Sequence, residues 1–410
     1  MFLLPYALVI LLYGGAAVVR TILKRRPSVV NPRIASYDSN DKDTIDTSSS
    51  SSLAQVRLLQ APEVTSTRGG ELEHLEFWNT HSRLIQLAWH EWEREMIRRQ
   101  NSEQIQGNET YLPSLDEDTM MEPTLKERIQ QIWKKPSLEA ELELQAAIWE
   151  EPIRNVHTCS SFFSPQGIQN LRHHLSLMGQ ANIPTRRPNG MNRNGFVLDD
   201  ETEGGVSYVS VNDFRGWLVD DYLRPLGRMF FPEYIGSDED DESSYAFTVH
   251  YQYNDGRGDN VESTNTSATK RPDVKLKEHS DASVVTVNIN LNLPGEDEYG
   301  GSQLLFLDDN DDDGPGTNST EQRRKQLEFQ PGMAVIHRGL HRHQALPIEK
   351  GERHQLIIWL FGNDGYVRVA PYKPKEQLSV KKRWSKSKNT GGSNHMRSLG
   401  GGNDLNPFEL

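Results

Sequence analysis

The stretch that decides the fold is Val284-Val285-Thr286-Val287-Asn288-Ile289-Asn290-Leu291-Asn292-Leu293, reached through His279-Ser280-Asp281. Apolar and polar residues alternate along it with almost no break, the period of a β-strand with one apolar and one polar face. Two more apolar blocks lie downstream. Phe329 to Ile336 delivers His337, His341 and His343, and Gln355 to Phe361 follows directly on Arg353. Upstream, Tyr245 to Tyr253 has the same strand character.

His279-x-Asp281 is the only His-x-Asp in a chain with 13 histidines. At the mouth of one strand, with a distant histidine at the mouth of another, it lets a sheet set two imidazoles and one carboxylate on one face of a metal. The remaining coordination positions stay open, as O2-activating non-haem iron sites require. For the second imidazole the sequence offers His337, His341, His343 and His354, and strand alternation does not separate the first three. On the last strand Arg353, Gln355, Ile357 and Trp359 share one parity, and Leu356, Ile358 and Leu360 the other. Arg353 is therefore expected inside with Trp359. A buried guanidinium needs a carboxylate, and no residue of that strand supplies one.

His279-x-Asp281, Gly300-Gly301-x-x-Leu304-x-Phe306, His343-x-x-x-Pro347 and Arg353, ten residues beyond His343, together resemble the Fe(II)- and 2-oxoglutarate-dependent dioxygenases of the prolyl/lysyl hydroxylase type. The nearest likeness is to the PKHD-type hydroxylase-like proteins of plants and algae, and it runs from Val156 to about Val369. The resemblance implies Fe(II) on His279, Asp281 and His343, with His341 beside the ligands rather than among them. It implies 2-oxoglutarate as cosubstrate, its far carboxylate held by Arg353 and reached by Tyr251, and L-ascorbate as the reductant that maintains the iron. Thr286, Asn288 and Asn290 would line the cosubstrate's flank; the other reading of that row is the solvent-facing face of an antiparallel sheet. The implied reaction is hydroxylation of a C–H bond with O2, releasing succinate and CO2, on peptidyl proline or lysine, though nothing in the residues excludes a small molecule. The loop from Arg187 to Asp199 is similar to a rim of such sites. With the strand runs and Gly-rich turns, this predicts an α+β fold: a double-stranded β-helix, or jelly roll, flanked by helices over Ser164 to Met178 and Val211 to Leu226.

Around that core the chain divides by composition. Residues 1–22 form an apolar run with Arg20, Lys24, Arg25 and Arg26 at its end, read as a retained membrane anchor. Residues 23–66, with the serine run Ser48 to Ser52, read as a flexible linker. Residues 67–150 carry apolar positions at helical spacing. The dioxygenase domain is expected over 151–372, its core over 245–362, and 373–410 reads as a disordered basic tail. A single-pass protein of the endoplasmic reticulum or Golgi is the expected setting, supported by the acceptor triplets at Asn108, Asn265 and Asn318. A net charge of -13 argues against nucleic acid as a partner. The single cysteine, Cys159, excludes an internal disulfide and a multi-cysteine zinc site.

Two other classes fit part of the pattern. A zinc hydrolase uses two histidines and a carboxylate but leaves Arg353 unexplained. A catalytically inactive, membrane-tethered scaffold on a dioxygenase fold is the stronger rival, since a fold does not by itself confer activity.

Overall fold

The computed structural model describes residues 51–59, 68–105, 112–198, 208–233, 244–253, 272–307, 324–361 and 377–385. Two antiparallel sheets organise it. The larger has the order β1 (Trp149–Ile153), β2 (Val156–Cys159), β9 (Ala334–Arg338), β5 (Val285–Asn290), β12 (Glu352–Leu360) and β3 (Ser244–Gln252). The smaller is β4 (Leu276–His279), β10 (His343–Ala345), β7 (Leu304–Leu307) and β8 (Arg324–Leu327), and β6 (Gly300–Gly301) pairs with β11 (Ile348–Lys350) in a short ribbon. In chain order β3, β4, β5, β7, β8, β9, β10 and β12 pass between the two main sheets so that their ends meet as a jelly roll, the fold expected from the sequence.

Alternation then sorts the side chains. Phe247, Val249 and Tyr251 of β3, Ile357 and Trp359 of β12, Leu304 and Phe306 of β7 and Ala345 of β10 form one apolar cluster inside the barrel. Val285, Val287, Ile289, Ile336, Leu356, Ile358 and Leu360 face the other way and join the helices in a second cluster. Both faces of β5 are thus buried. Its polar row, Thr286, Asn288 and Asn290, points into the barrel and not into water, which removes the solvent-facing reading.

The helices cover the outer face of the larger sheet. They are α1 (Ser52–Val56), α2 (Arg68–Ile105), α3 (Glu117–Met120), α4 (Pro123–Lys134), α5 (Leu138–Ile148), α6 (Pro165–Gln180), α7 (Val209–Trp217), α8 (Arg224–Phe230) and α9 (Val380–Arg383), with a π-helical turn at Leu218–Leu223 between α7 and α8. Ile85, Ala88, Trp89 and Trp92 of α2 recur at three- and four-residue spacing and are buried, each large side chain contributing roughly 1.5–3 kcal/mol. The α6 helix begins as its sequence indicates: Ser164 Oγ accepts from Gly167 N at 2.8 Å and Pro165 occupies the first turn. Side chains from α2, α4, α6 and α7 share one core with the sheet, so the 67–150 region docks on the barrel.

Two segments depart from expectation. Within the supposed linker 23–66, Ser51 caps α1, which buries Leu53 and Val56, and Leu53 N donates to Glu91 Oε2 at 2.9 Å. Residues i and i+3 of one helical turn give that short piece an apolar face. Within the supposed disordered tail, Trp384 is 2% exposed. Its indole meets Trp133 edge-on at 5.8 Å and donates to Glu141 Oε1 at 2.7 Å. Arg383 Nε donates to the same oxygen at 2.9 Å and Nη2 to Glu141 Oε2. A buried carboxylate with three donors fixes this segment, which the surrounding Lys- and Ser-rich composition conceals. The anchor run 1–22, the acceptor triplets at Asn108, Asn265 and Asn318 and the tail from 386 onward lie outside the described residues. Among the described residues no helix is long and apolar enough to cross a membrane.

Candidate active site

His279 ends β4 and His343 opens β10, and the antiparallel register sets the two Cα positions opposite one another. Their rings lie 4.4 Å apart. Asp281, two residues past His279, is fixed at both ends: its N–H donates to Gly339 O at 2.8 Å, and its Oδ2 accepts from Thr286 Oγ1 at 2.7 Å. Gly339 is required there, because a Cβ on it would fall 1.9 Å from Ser283 O. His279 Nε2 lies 3.3 Å from Asp281 Oδ1 and His343 Nε2 3.7 Å from Oδ2.

The ring tautomers follow from the partners. His279 Nδ1 is 2.7 Å from Lys277 O and His343 Nδ1 2.9 Å from His341 O. A carbonyl only accepts, so Nδ1 carries the proton and Nε2 presents the lone pair toward Asp281. A lone pair and a carboxylate oxygen at such separations are held together by a shared proton or cation. Burial pushes His343 down to about 4, against the pull of Asp281, so the ring is neutral near pH 7. Burial alone would raise the Asp281 carboxyl, but His343, His279 and His337 outweigh it and hold it well below the usual carboxylate range. A buried carboxylate with two imidazoles is the donor set of a divalent transition metal with open positions, and its three ligand atoms lie within 4.8 Å of one another.

The competing histidines are accounted for. His337 lies near the end of β9, just before the turn at 339–340, with its ring inside the barrel, 0% exposed, and Nε2 4.0 Å from Asp281 Oδ2. Its Nδ1 donates to Arg338 O at 2.8 Å and its Nε2 accepts from Asn288 Nδ2 at 3.2 Å, so its lone pair is already used. His341 Nε2 bonds Leu307 O at 2.9 Å. His354 sits on the outer face of β12.

Arg353 is 0% exposed and lies opposite Tyr251 in the β3–β12 register. Its guanidinium carbon stands 4.6 Å from the Tyr251 ring and 5.5 Å from the Phe329 ring. Nη1 donates to Ser302 O and the Tyr251 and Tyr299 hydroxyls stand close to the guanidinium, while Nε and Nη2 meet no acceptor in hydrogen-bond geometry among the described residues. Burial pushes its pKa down, with the phenols of Tyr251 and Tyr299 pulling the other way. Two buried N–H donors without an acceptor fit a two-pronged carboxylate. A cavity lined by His279, Asp281 and His343 also reaches Tyr251, Asn288, Gln355 and Trp359. The Gln355 Oε1 and Trp359 Nε1 atoms are buried there without partners among the described residues. Of the polar row on β5, only Asn288 lines this cavity. Thr286 braces Asp281, and Asn290 donates to Tyr299 Oη at 2.8 Å and to Phe329 O at 3.1 Å.

The loop after Arg187 does form part of the rim, through Asn189, Met191 and Asn192. It is braced from within: Asn189 Oδ1 accepts from Met191 N and Asn192 N, and Arg187 Nε donates to Asn192 O at 2.7 Å. Asn192 Nδ2 also reaches Tyr251 Oη at 3.3 Å. Tyr299 and Ser302 are site residues that the sequence reading missed, while His337, weighed there as a ligand, stands beside the donor set.

No protein-family model matches the chain. Curated proteins do match it, among them the following two. One from Xenopus tropicalis, 2-oxoglutarate and iron-dependent oxygenase domain-containing protein 2, is 28% identical over 219 residues, 53% of each chain. One from Arabidopsis thaliana of the same general description is 32% identical over 173 residues, 42% of this chain and 36% of its own. The chain is a relative of the 2-oxoglutarate and iron-dependent oxygenase domain-containing proteins. It spans about half or less of the length of those oxygenase relatives. Among solved structures, a Pseudomonas putida prolyl-4-hydroxylase aligns with a TM-score of 0.34 and 14% identity, covering 55% of this chain and 99% of the other.

Proposed function

We propose that this chain is an Fe(II)- and 2-oxoglutarate-dependent dioxygenase that hydroxylates a C–H bond. In this reading His279, Asp281 and His343 hold the iron, and Arg353, stacked on Tyr251, holds the far carboxylate of 2-oxoglutarate. The observation that carries it is the conjunction, in one barrel, of the three-residue donor set with a buried guanidinium whose Nε and Nη2 lack acceptors. Iron and 2-oxoglutarate together supply the O2-dependent oxidising power, with succinate and CO2 released.

The chain's own part is positioning. The Lys277 and His341 carbonyls orient the two imidazoles, Thr286 and Gly339 fix the carboxylate, and Asn288 keeps His337 out of the donor set by occupying its lone pair. Phe306, at 5.5 Å from His343 and nearly parallel to it, backs the site with apolar surface. Peptidyl proline or lysine is the substrate class implied by the sequence resemblance. Attachment to an endomembrane through residues 1–22 is inferred from the apolar run, and a requirement for L-ascorbate from the resemblance.

The direct test is succinate release by the full chain with Fe(II), 2-oxoglutarate and O2, alone and with a library of Pro- and Lys-containing peptides. Turnover in either arm that disappears without iron supports the reading. Binding of 2-oxoglutarate with no turnover in any arm would favour the scaffold alternative, and absence of both binding and turnover would overturn the assignment.

A further inference from the structure

On the opposite face of the strand that carries Arg353 lies a second cluster of ligand-type side chains. His354 of β12 is the direct cross-strand partner of His250 on β3. Alternation along β12 brings Glu352 to the same outer face, two residues before His354. The two imidazoles stack with centroids 4.1 Å apart and planes within 13°. Both Nε2 atoms converge on one oxygen, Glu352 Oε2, at 3.1 Å from His250 and 3.5 Å from His354. All three ligand atoms lie within 4.8 Å of one another.

We propose that His250, Glu352 and His354 form a second metal site that takes a zinc-class dication, with water completing the coordination. The spacing fits the chemistry. With Zn–N and Zn–O bonds of about 2.0–2.2 Å, neighbouring donors of a tetrahedral centre stand roughly 3.3 Å apart, which the observed Nε2–Oε2 separations already approach. Two imidazoles and a carboxylate are a borderline donor set, suited to zinc and its neighbours rather than to magnesium or calcium.

The surroundings hold the donors in place. Gln252 Nε2 donates to Glu352 Oε1 at 2.8 Å, which orients the carboxylate and leaves Oε2 toward the histidines. The backbone at His354 is tied by its N–H to Asn292 Oδ1 at 2.8 Å. Arg172, the nearby cation, is paired with Asp297, which offsets part of its repulsion toward a dication. The histidines are half-buried and Glu352 is exposed, which gives an ion and its water a path in.

An ordinary ion-paired cluster and a metal site differ in stoichiometry. The full chain is equilibrated with Zn(II), freed of excess by gel filtration, and its zinc counted by atomic emission. His354→Ala and the nearly isosteric Glu352→Gln should each bind one zinc fewer than wild type, and should keep the wild-type circular dichroism. Zn(II) should also raise the Tm of His343→Ala and leave that of His343→Ala/His354→Ala unmoved. The difference between wild type and the outer-face variants decides the matter whatever the inner site binds. Equal zinc content in wild type, His354→Ala and Glu352→Gln would overturn the proposal.

Discussion

Replacing Arg353 by Met separates its ligand-binding role from any structural one, because the two have opposite consequences for the protein. The guanidinium is fully buried, donates to one carbonyl through Nη1 and leaves Nε and Nη2 without acceptors. Met is close in length and carries no charge to desolvate. The variant loses one hydrogen bond, about 1 kcal/mol, and two cation–π contacts of about 0.5–2 kcal/mol each. It gains the removal of a poorly compensated buried charge, a penalty of several kcal/mol. The ligand-free protein should therefore be as stable as wild type or more so. Binding of 2-oxoglutarate should suffer instead, since its carboxylate would be buried without its partner. A broken buried pair costs about 3–5 kcal/mol, or about two to three and a half decades in Kd. Calorimetric titration of 2-oxoglutarate into anaerobic metal-loaded protein, beside urea unfolding of the ligand-free form, measures both quantities. A folded variant with unchanged affinity would refute the assignment, as would a variant so destabilised that the guanidinium is evidently a structural element.

Other outcomes follow from particular contacts. His343→Ala should abolish iron-dependent turnover. His341→Ala should lower it by no more than roughly 10–100-fold, because the backbone carbonyl that orients His343 survives the change; steady-state succinate assays with the ranking reversed would show the ligand choice to be wrong. His157, stacked on Phe230 at 4.0 Å, is pushed down to about 4 by burial against the pull of Glu151. Between about pH 6.5 and 4 the unfolded chain takes up a proton there that the folded one refuses, so stability rises with pH across that window and is lost on acidification. His157→Phe should flatten that slope by about 2–3 kcal/mol, and identical urea midpoint shifts between pH 7 and 4.5 in both proteins would contradict it. Trp384→Ala should cost about 3–5 kcal/mol of stability, because the indole is packed on Trp133 and bonded to buried Glu141; a loss below about 1 kcal/mol would mean that residues 377–385 contribute little to the fold.

The sequence made β5 and β12 legible because period-2 patterning is a direct image of strand geometry, and parity alone put Arg353 inside with Trp359. It could not say what the polar face of β5 meets. A row of Thr286, Asn288 and Asn290 reads the same whether it faces water or a polar barrel interior, and only the closure of the second sheet over it decides. The ligand pair His279 and Asp281 was visible as a motif, but the choice of His343 came from resemblance, because parity groups it with His337 and His341. The structure separates them by hydrogen bonding, through Asn288 on His337 and Leu307 O on His341, and such long-range partners leave no local trace. Tyr299 and Ser302 were hidden for the same reason. The docking of Trp384 was hidden by composition, since one buried indole hardly changes the average of a Lys- and Ser-rich segment.

The pairing of β3 with β12 runs without a bulge over nine residue pairs, Glu352–Gln252 through Leu360–Ser244. One consequence concerns which kinds of genetic change this strand tolerates. A substitution is felt on one face only: at Leu356 or Ile358 by the helical layer, at Arg353 or Trp359 by the barrel interior. An inserted or deleted codon is felt on both at once, because beyond it each residue changes sides. Arg353 would turn outward, His354 would be driven inside, and the apolar residues that hold the helices would exchange places with those that line the cavity. This strand can accept exchanges of residue but not changes of length.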